Sequence, residues 1–108
     1  MSEARYQVGQ VIIHRRFGYR GVIVRVDNSF NGSEEWYDLM ASSRPPKNRP
    51  WYHVLVHQSG HKTYVTERNL TLDESKKEVC HPLIEHYFVG FRNGVYFRLV
   101  GGGSRAVT

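Results

Sequence analysis

Cysteine occurs once in the 108 residues, at Cys80. A single thiol forms no internal disulfide, and its presence fits a reducing compartment, cytoplasm or nucleus. No apolar run approaches the roughly 18 residues that a membrane-spanning helix needs. Residues 1–5 carry no apolar segment of the signal-peptide kind, so no membrane location is expected. Internal repeats are missing. Catalytic signatures are missing too: there is no nucleophile elbow, no glycine loop shaped to cradle phosphate, and no carboxylate pair bracketed by apolar strands. Glu34, Glu35 and Asp38 fall on a polar helical stretch, where exposed carboxylates are ordinary. Cys80 and His81 are neighbours only along the chain. Neither an enzyme nor a cofactor is expected.

What is present suits one small domain. Hydrophobic residues make up 40% of the chain and aromatics 13%, enough for a single modest core and too much for disorder. The formal charge of +5 and a pI near 9.6 describe a basic surface. Such a surface serves nucleic acid or an acidic protein partner, or is simply a solvated exterior.

The pattern centres on Pro50, Trp51, Tyr52, His53, Val54, Leu55, Val56 and His57. Proline fixes the entry to an extended run. Tyr52, Val54 and Val56 then point one way, and Trp51, His53, Leu55 and His57 the other. Both faces are largely apolar or aromatic, so this strand belongs in the middle of a sheet or barrel. Before it, residues 11–15 and 19–26 form a hairpin turned at Gly18, with Val22, Val24 and Val26 sharing a face. Gly21 marks a bulge or a close backbone approach. Residues 27–49 are a long connection in which Ser33 caps a short helix over 34–40. The rest of that connection is expected to be mobile and partner-facing. After the central strand come a hairpin to a strand over 62–66, a tight turn at 67–69 and a short fifth strand at 70–72. A helix over 81–88, a turn at Asn93 and Gly94 and a last strand over 95–100 complete an extension. Residues 101–108 read as a flexible tail. The divisions are thus a barrel over 6–72, an extension packed on it over 73–100, and the tail.

Histidine invites a metal reading, because His53, His57 and His61 are spaced four apart. On a strand, however, four residues span roughly 13 Å, too far for two imidazoles to share an ion at about 2 Å each. No metal site is expected. The aromatics either fill and cover the core or line a groove under the long loop. The groove reading nominates Trp36, Tyr37, Arg44, Trp51 and Tyr52 as partner contacts, with Lys47 and Arg49 on the rim. The basic residues Arg15, Arg16, Arg20, Lys47, Arg49 and Lys62 are the alternative set, contacting nucleic acid.

Three blocks in order carry a family resemblance: residues 8–14 with 17–24 and Asp27; Pro50 to Val56; and Thr63, Tyr64 and Val65 with Glu67, Asn69 and Leu70. Together they resemble the YccV-like, or hemimethylated-DNA-binding, domain family, which includes a bacterial heat-shock protein. Beyond them, His81, Pro82, Tyr87, Phe88, Phe91 and Tyr96 are similar to an extension found after this domain in eukaryotic F-box proteins. No F-box segment is present, so the resemblance implies an isolated C-terminal domain. It further implies a mainly β fold, a small SH3-like β-barrel with a short helix in its long loop and a C-terminal helix and strand extension. Two activities are implied: recognising substrates or acting as an adaptor in regulated protein degradation, and binding hemimethylated DNA. The adaptor reading is preferred, with a protein or peptide substrate and the degradation machinery as partners. Duplex DNA is the alternative partner. Reading a methyl group in the major groove needs apolar and base-edge contacts, and no recognition helix is legible to supply them.

Overall fold

Residues 3–98 are described by a computed structural model of the chain. Its elements follow the hydrophobic pattern. The first hairpin is β1 (Val11–His14) and β2 (Arg20–Asp27), and the long connection holds α1 (Glu34–Met40). β3 (Trp51–Val56) and β4 (Lys62–Thr66) form the second hairpin, and a 3-10 turn (Glu67–Asn69) leads into β5 (Leu70–Leu72). The extension contributes α2 (Ile84–Tyr87), β6 (Gly90–Arg92) and β7 (Val95–Phe97). The main sheet has five antiparallel strands in the order β4-β3-β2-β1-β5. It is barrel-like but not closed, since β4 and β5 remain its edges.

β3 is covered on both sides, as its sequence requires. On one face Tyr52 and Val54 pack with Ile12, Ile23, Val65 and Leu70, under Tyr6. On the other, Leu55 joins Val11, Val22 and Val24 beneath Val79, Phe88 and Tyr96 of the extension. The extension therefore covers this chain's own sheet. Tyr96 both donates to the Val79 carbonyl (3.1 Å) and accepts from the Val79 N–H (2.8 Å), and its own N–H binds the Gly9 carbonyl at 2.8 Å.

Two local expectations are corrected. Val26 does not share a face with Val22 and Val24. The β2–β3 register shifts between Ile23 and Arg25, so Val24 is an extra residue and Val26 turns to the Tyr52 side with Ile23. The bulge is thus at Val24, while Gly21 serves a close approach. A Cβ there would lie 2.5 Å from Val54 Cγ1 and 2.7 Å from the Leu55 carbonyl oxygen. The C-terminal helix is also shorter than 81–88. His81 Nδ1 accepts from the Leu83 N–H at 3.0 Å, and this local turn occupies the residues before Ile84. β7 stops at Phe97. The expected last two residues of that strand, and the tail, lie outside the described residues.

Gly21→Ala should therefore lower stability by about 1–3 kcal/mol, the usual cost of overpacking a filled core. Urea unfolding measures it, and an unshifted midpoint contradicts the close packing of β2 on β3.

Candidate functional site

The outer side of β3 and β4 is built from aromatics. Ser33 Oγ accepts from the Trp36 N–H at 3.0 Å, starting α1 as an N-cap should. Seven residues of helix do not persist alone in water; α1 is held by what it rests on. Tyr37, 4% exposed, packs against Trp51, 2% exposed. Phe30 meets Trp51 edge to face with centroids 5.0 Å apart, and Trp51 lies 5.1 Å from Tyr64. Such aromatic pairs contribute about 0.5–1.5 kcal/mol each beyond their buried area. Polar tips then fasten the loop. Tyr37 Oη donates to the Pro45 carbonyl, Trp51 Nε1 to the Pro46 carbonyl, and the Phe30 N–H to the Lys47 carbonyl. The connection expected to be mobile is tied down along residues 45–47.

Between α1 and the tip of the β1–β2 hairpin lies a groove of about 410 Å³. Tyr64 and Trp51 contribute to its lining, together with Trp36 and Met40 from α1 and Phe17 from the hairpin tip. Phe17 is 73% exposed and Met40 65%, so two apolar side chains stand beside one groove instead of being scattered singly. Phe17 is nevertheless positioned, because it stacks on the His14 ring at 4.6 Å. His14 Nδ1 accepts from the N–H groups of both Arg16 and Phe17 at 3.1 Å. That nitrogen must be unprotonated to hold the tip. Burial, and then the neighbouring Arg16, keep the His14 pKa below its ordinary value.

Asp27 fixes the Tyr64 ring. Its carboxylate accepts from Tyr64 Oη at 2.7 Å, pairs with Arg25 at 3.3 Å, and lies 3.0 Å from His53 Nε2. Burial alone would raise the Asp27 pKa, but the hydrogen bonds of Tyr64 and His53, with nearby positive charge, bring it below its usual value. Burial, then the bond to this carboxylate, push the Tyr64 hydroxyl upward.

The structure separates the nominated partner contacts. Trp36 and Trp51 line the groove, whereas Tyr37 is buried behind it and Arg44 stands outside it, paired with Asp38 at 2.9 Å and lying over the Tyr37 ring. Tyr52 is a correction. It is 0% exposed inside the barrel, where Oη donates to Glu67 and accepts from the Tyr6 N–H. Alternation put Tyr52 opposite Trp51, so both could not face one groove.

The basic set is divided as well. Arg20 is a structural tie, bonded to Asp73 at 2.7 Å and to the Lys77 and Glu78 carbonyls. Lys47 is spent on Glu34 and on the ring face of Tyr37. Arg16 and Lys62 border the groove, while Arg15 and Arg49 border a second hollow beside it. The histidines have separate tasks: His53 faces Asp27, His57 Nδ1 accepts from the Cys80 N–H, and the His61 carbonyl meets His81. Among the described residues no three His, Cys, Asp or Glu side chains gather as metal ligands. Likewise no helix there is long and apolar enough to cross a membrane. Phe17, Met40 and Tyr64 were not foreseen; the available signal was an aromatic beside the hairpin's turn glycine.

A mainly β sheet carrying a preformed aromatic groove defines a small binding module. The chain belongs to the YccV-like family: the family model described as "Hemimethylated DNA-binding protein YccV like" matches residues 4–95. F-box only protein 21 of Mus musculus is 32% identical over 93 residues, and those of Homo sapiens and Pongo abelii are 31% identical over the same length. Each match covers 84% of this chain but 15% of the relative. The chain thus corresponds to a small part of those proteins, and the likeness read from the separated motifs is the one these matches show.

Asp27 also sets a pH dependence. A carboxyl held below its unfolded value of 3.8 stabilises the fold fully above that value, and the contribution is lost as pH falls through the folded value. Asp27→Asn should cost about 1.5–3 kcal/mol at neutral pH, the range for hydrogen bonds to a charged group. It should also flatten the loss of stability below pH 3.8. Urea titrations at stepped pH check both, and an unaltered acid limb contradicts the assignment.

Proposed function

We propose that this chain is a non-catalytic recognition module, taking up a segment of another protein as the substrate-selecting or adaptor part of a degradation machine. Its work would lie in the cytoplasm or nucleus, where the lone exposed Cys80 stays reduced. One observation carries the reading: the groove over β3 and β4 is concave and apolar, and is flanked by two large side chains left in water, Phe17 and Met40. Apolar side chains in a preformed pocket suit an aromatic or aliphatic anchor of a partner. β4 is an edge of the sheet, so an extended segment entering the groove can also bond to its free backbone groups. The relatives named F-box only protein 21 favour this setting.

The second reading, duplex DNA, draws on the family's description and the charge of +5. Against it, Arg20 and Lys47 are engaged within the chain, and of the nominated cations only Arg16 and Lys62 border the groove, beside the apolar Phe17 and Met40, where a phosphate backbone needs a row of cations. Any duplex binding is then backbone-driven and insensitive to methylation.

A displayed library of random peptides, panned on the 108-residue chain, separates the two. Selected peptides should carry an apolar anchor, and Phe17→Ala, at the exposed hairpin tip, should weaken them at least tenfold with the thermal midpoint nearly unchanged. In parallel, affinity for a hemimethylated duplex should fall steeply with salt and equal that for the unmethylated duplex. A hemimethylated preference at physiological salt, with no peptide selected, overturns the adaptor reading.

A further inference from the structure

Beside the groove is a second hollow of about 340 Å³, into which Arg5, Arg15, Arg49 and Arg68 converge around Glu67 and Thr66. This is a tertiary cluster, brought together from four separate segments. The Arg15 N–H donates to the Asn69 carbonyl at 2.7 Å, the Arg5 N–H to Glu67 Oε2 at 2.8 Å, and the Glu67 N–H to the carbonyl of Pro50, next to Arg49. Arg68 lies within the 3-10 turn itself. The one carboxylate present, Glu67, uses its Oε2 to accept from buried Tyr52 Oη and from the Arg5 backbone N–H, not from any of the four guanidinium groups. Among the described residues, none of these four guanidinium groups forms an ion pair, whereas Arg20, Arg25, Arg44 and Lys47 each do. Arg68 reaches only the neutral oxygens of Ser43. With Glu67 counted, the hollow still carries an excess of positive charge, four guanidinium groups against one carboxylate, which favours an entering anion.

We propose that this hollow binds a phosphate monoester carried by an extended protein segment whose neighbouring apolar side chain occupies the groove. The second half of that statement rests on the peptide-binding reading above. A monoester brings close to two negative charges and three acceptor oxygens, which several guanidinium forks can share; a carboxylate fills one fork. A duplex backbone offers a row of phosphates along a convex surface, whereas these arginines surround a single concavity. The hollow and the groove are adjacent: Thr66 lines both, and the consecutive pairs Arg15 and Arg16, and Pro45 and Pro46, divide between them. Because the two cavities share Thr66, the apolar anchor belongs a short, fixed number of residues from the phosphorylated one.

The test titrates the whole chain, labelled for NMR, with phosphoserine, and separately with peptide libraries having phosphoserine or serine fixed at one position and random flanks. Phosphoserine should shift Arg15, Arg49, Thr66 and Arg68 saturably, and the exposed double variant Arg15→Ser/Arg49→Ser should weaken it at least tenfold. The matched Arg92→Ser/Arg98→Ser variant should leave it unchanged. The phosphoserine library should select an apolar residue a fixed short distance away, and Phe17→Ala should erase that selection but not the phosphoserine shifts. Those shifts with no flanking selection would retain the anion site and overturn the groove reading. An apolar selection indifferent to phosphate, shifts spread equally over all arginines, or a 12-base-pair duplex that binds these residues more tightly than the phosphopeptides would overturn the anion site.

Discussion

Two consecutive side chains, Trp51 and Tyr52, leave the same strand in opposite directions, and most of this domain is arranged to bury both. Tyr52 enters the barrel interior and ends on Glu67 and the Tyr6 N–H, so the 3-10 turn and the N-terminal segment depend on it. Trp51 emerges on the other side as the platform for Tyr37, Phe30 and Tyr64. Without that platform α1 is too short to exist, and residues 45–47 lose the bonds that fix them. Further along β3, Leu55 does the same for the extension, packing with Val79, Phe88 and Tyr96. One strand thus has three dependants, and the groove lies between one of them, α1, and the tip of the β1–β2 hairpin.

Elements whose signal is local were legible in the residues. Ser33 and the acidic pair after it specify α1 from their own chemistry, and β3 follows from its alternation around Pro50. Pairings that depend on packing were not. Nothing near Val24 signals a bulge, since valine is an ordinary strand residue; the shift appears only when β2 must fit both Val54 and His53. Tyr37, Trp51 and Tyr52 read equally well as lining or as filling, because an aromatic at period two satisfies either role. The choice is made by α1, whose docking no local pattern foretells. Arg20 and Lys47 looked like free cations for the same reason: Asp73 and Glu34, which neutralise them, are distant in sequence.

The groove's exposed walls are made by residues the core does not bury, Phe17 and Met40. Phe17 cannot reach the interior from the hairpin tip, yet His14 holds it in place rather than leaving it to wander. Tyr64 is likewise oriented by Asp27. The floor and one wall of the groove are therefore preorganised, which lowers the ordering cost of taking up a partner. The matched relatives extend well beyond this segment, the chain spanning 15% of their length.

The most direct measurement is a crystal structure of the chain with a library-selected peptide bound. The account predicts an extended peptide whose apolar side chain sits between Phe17 and Trp36, above the Tyr64 ring. A peptide seated instead on β6 and β7, with the groove empty, would contradict it.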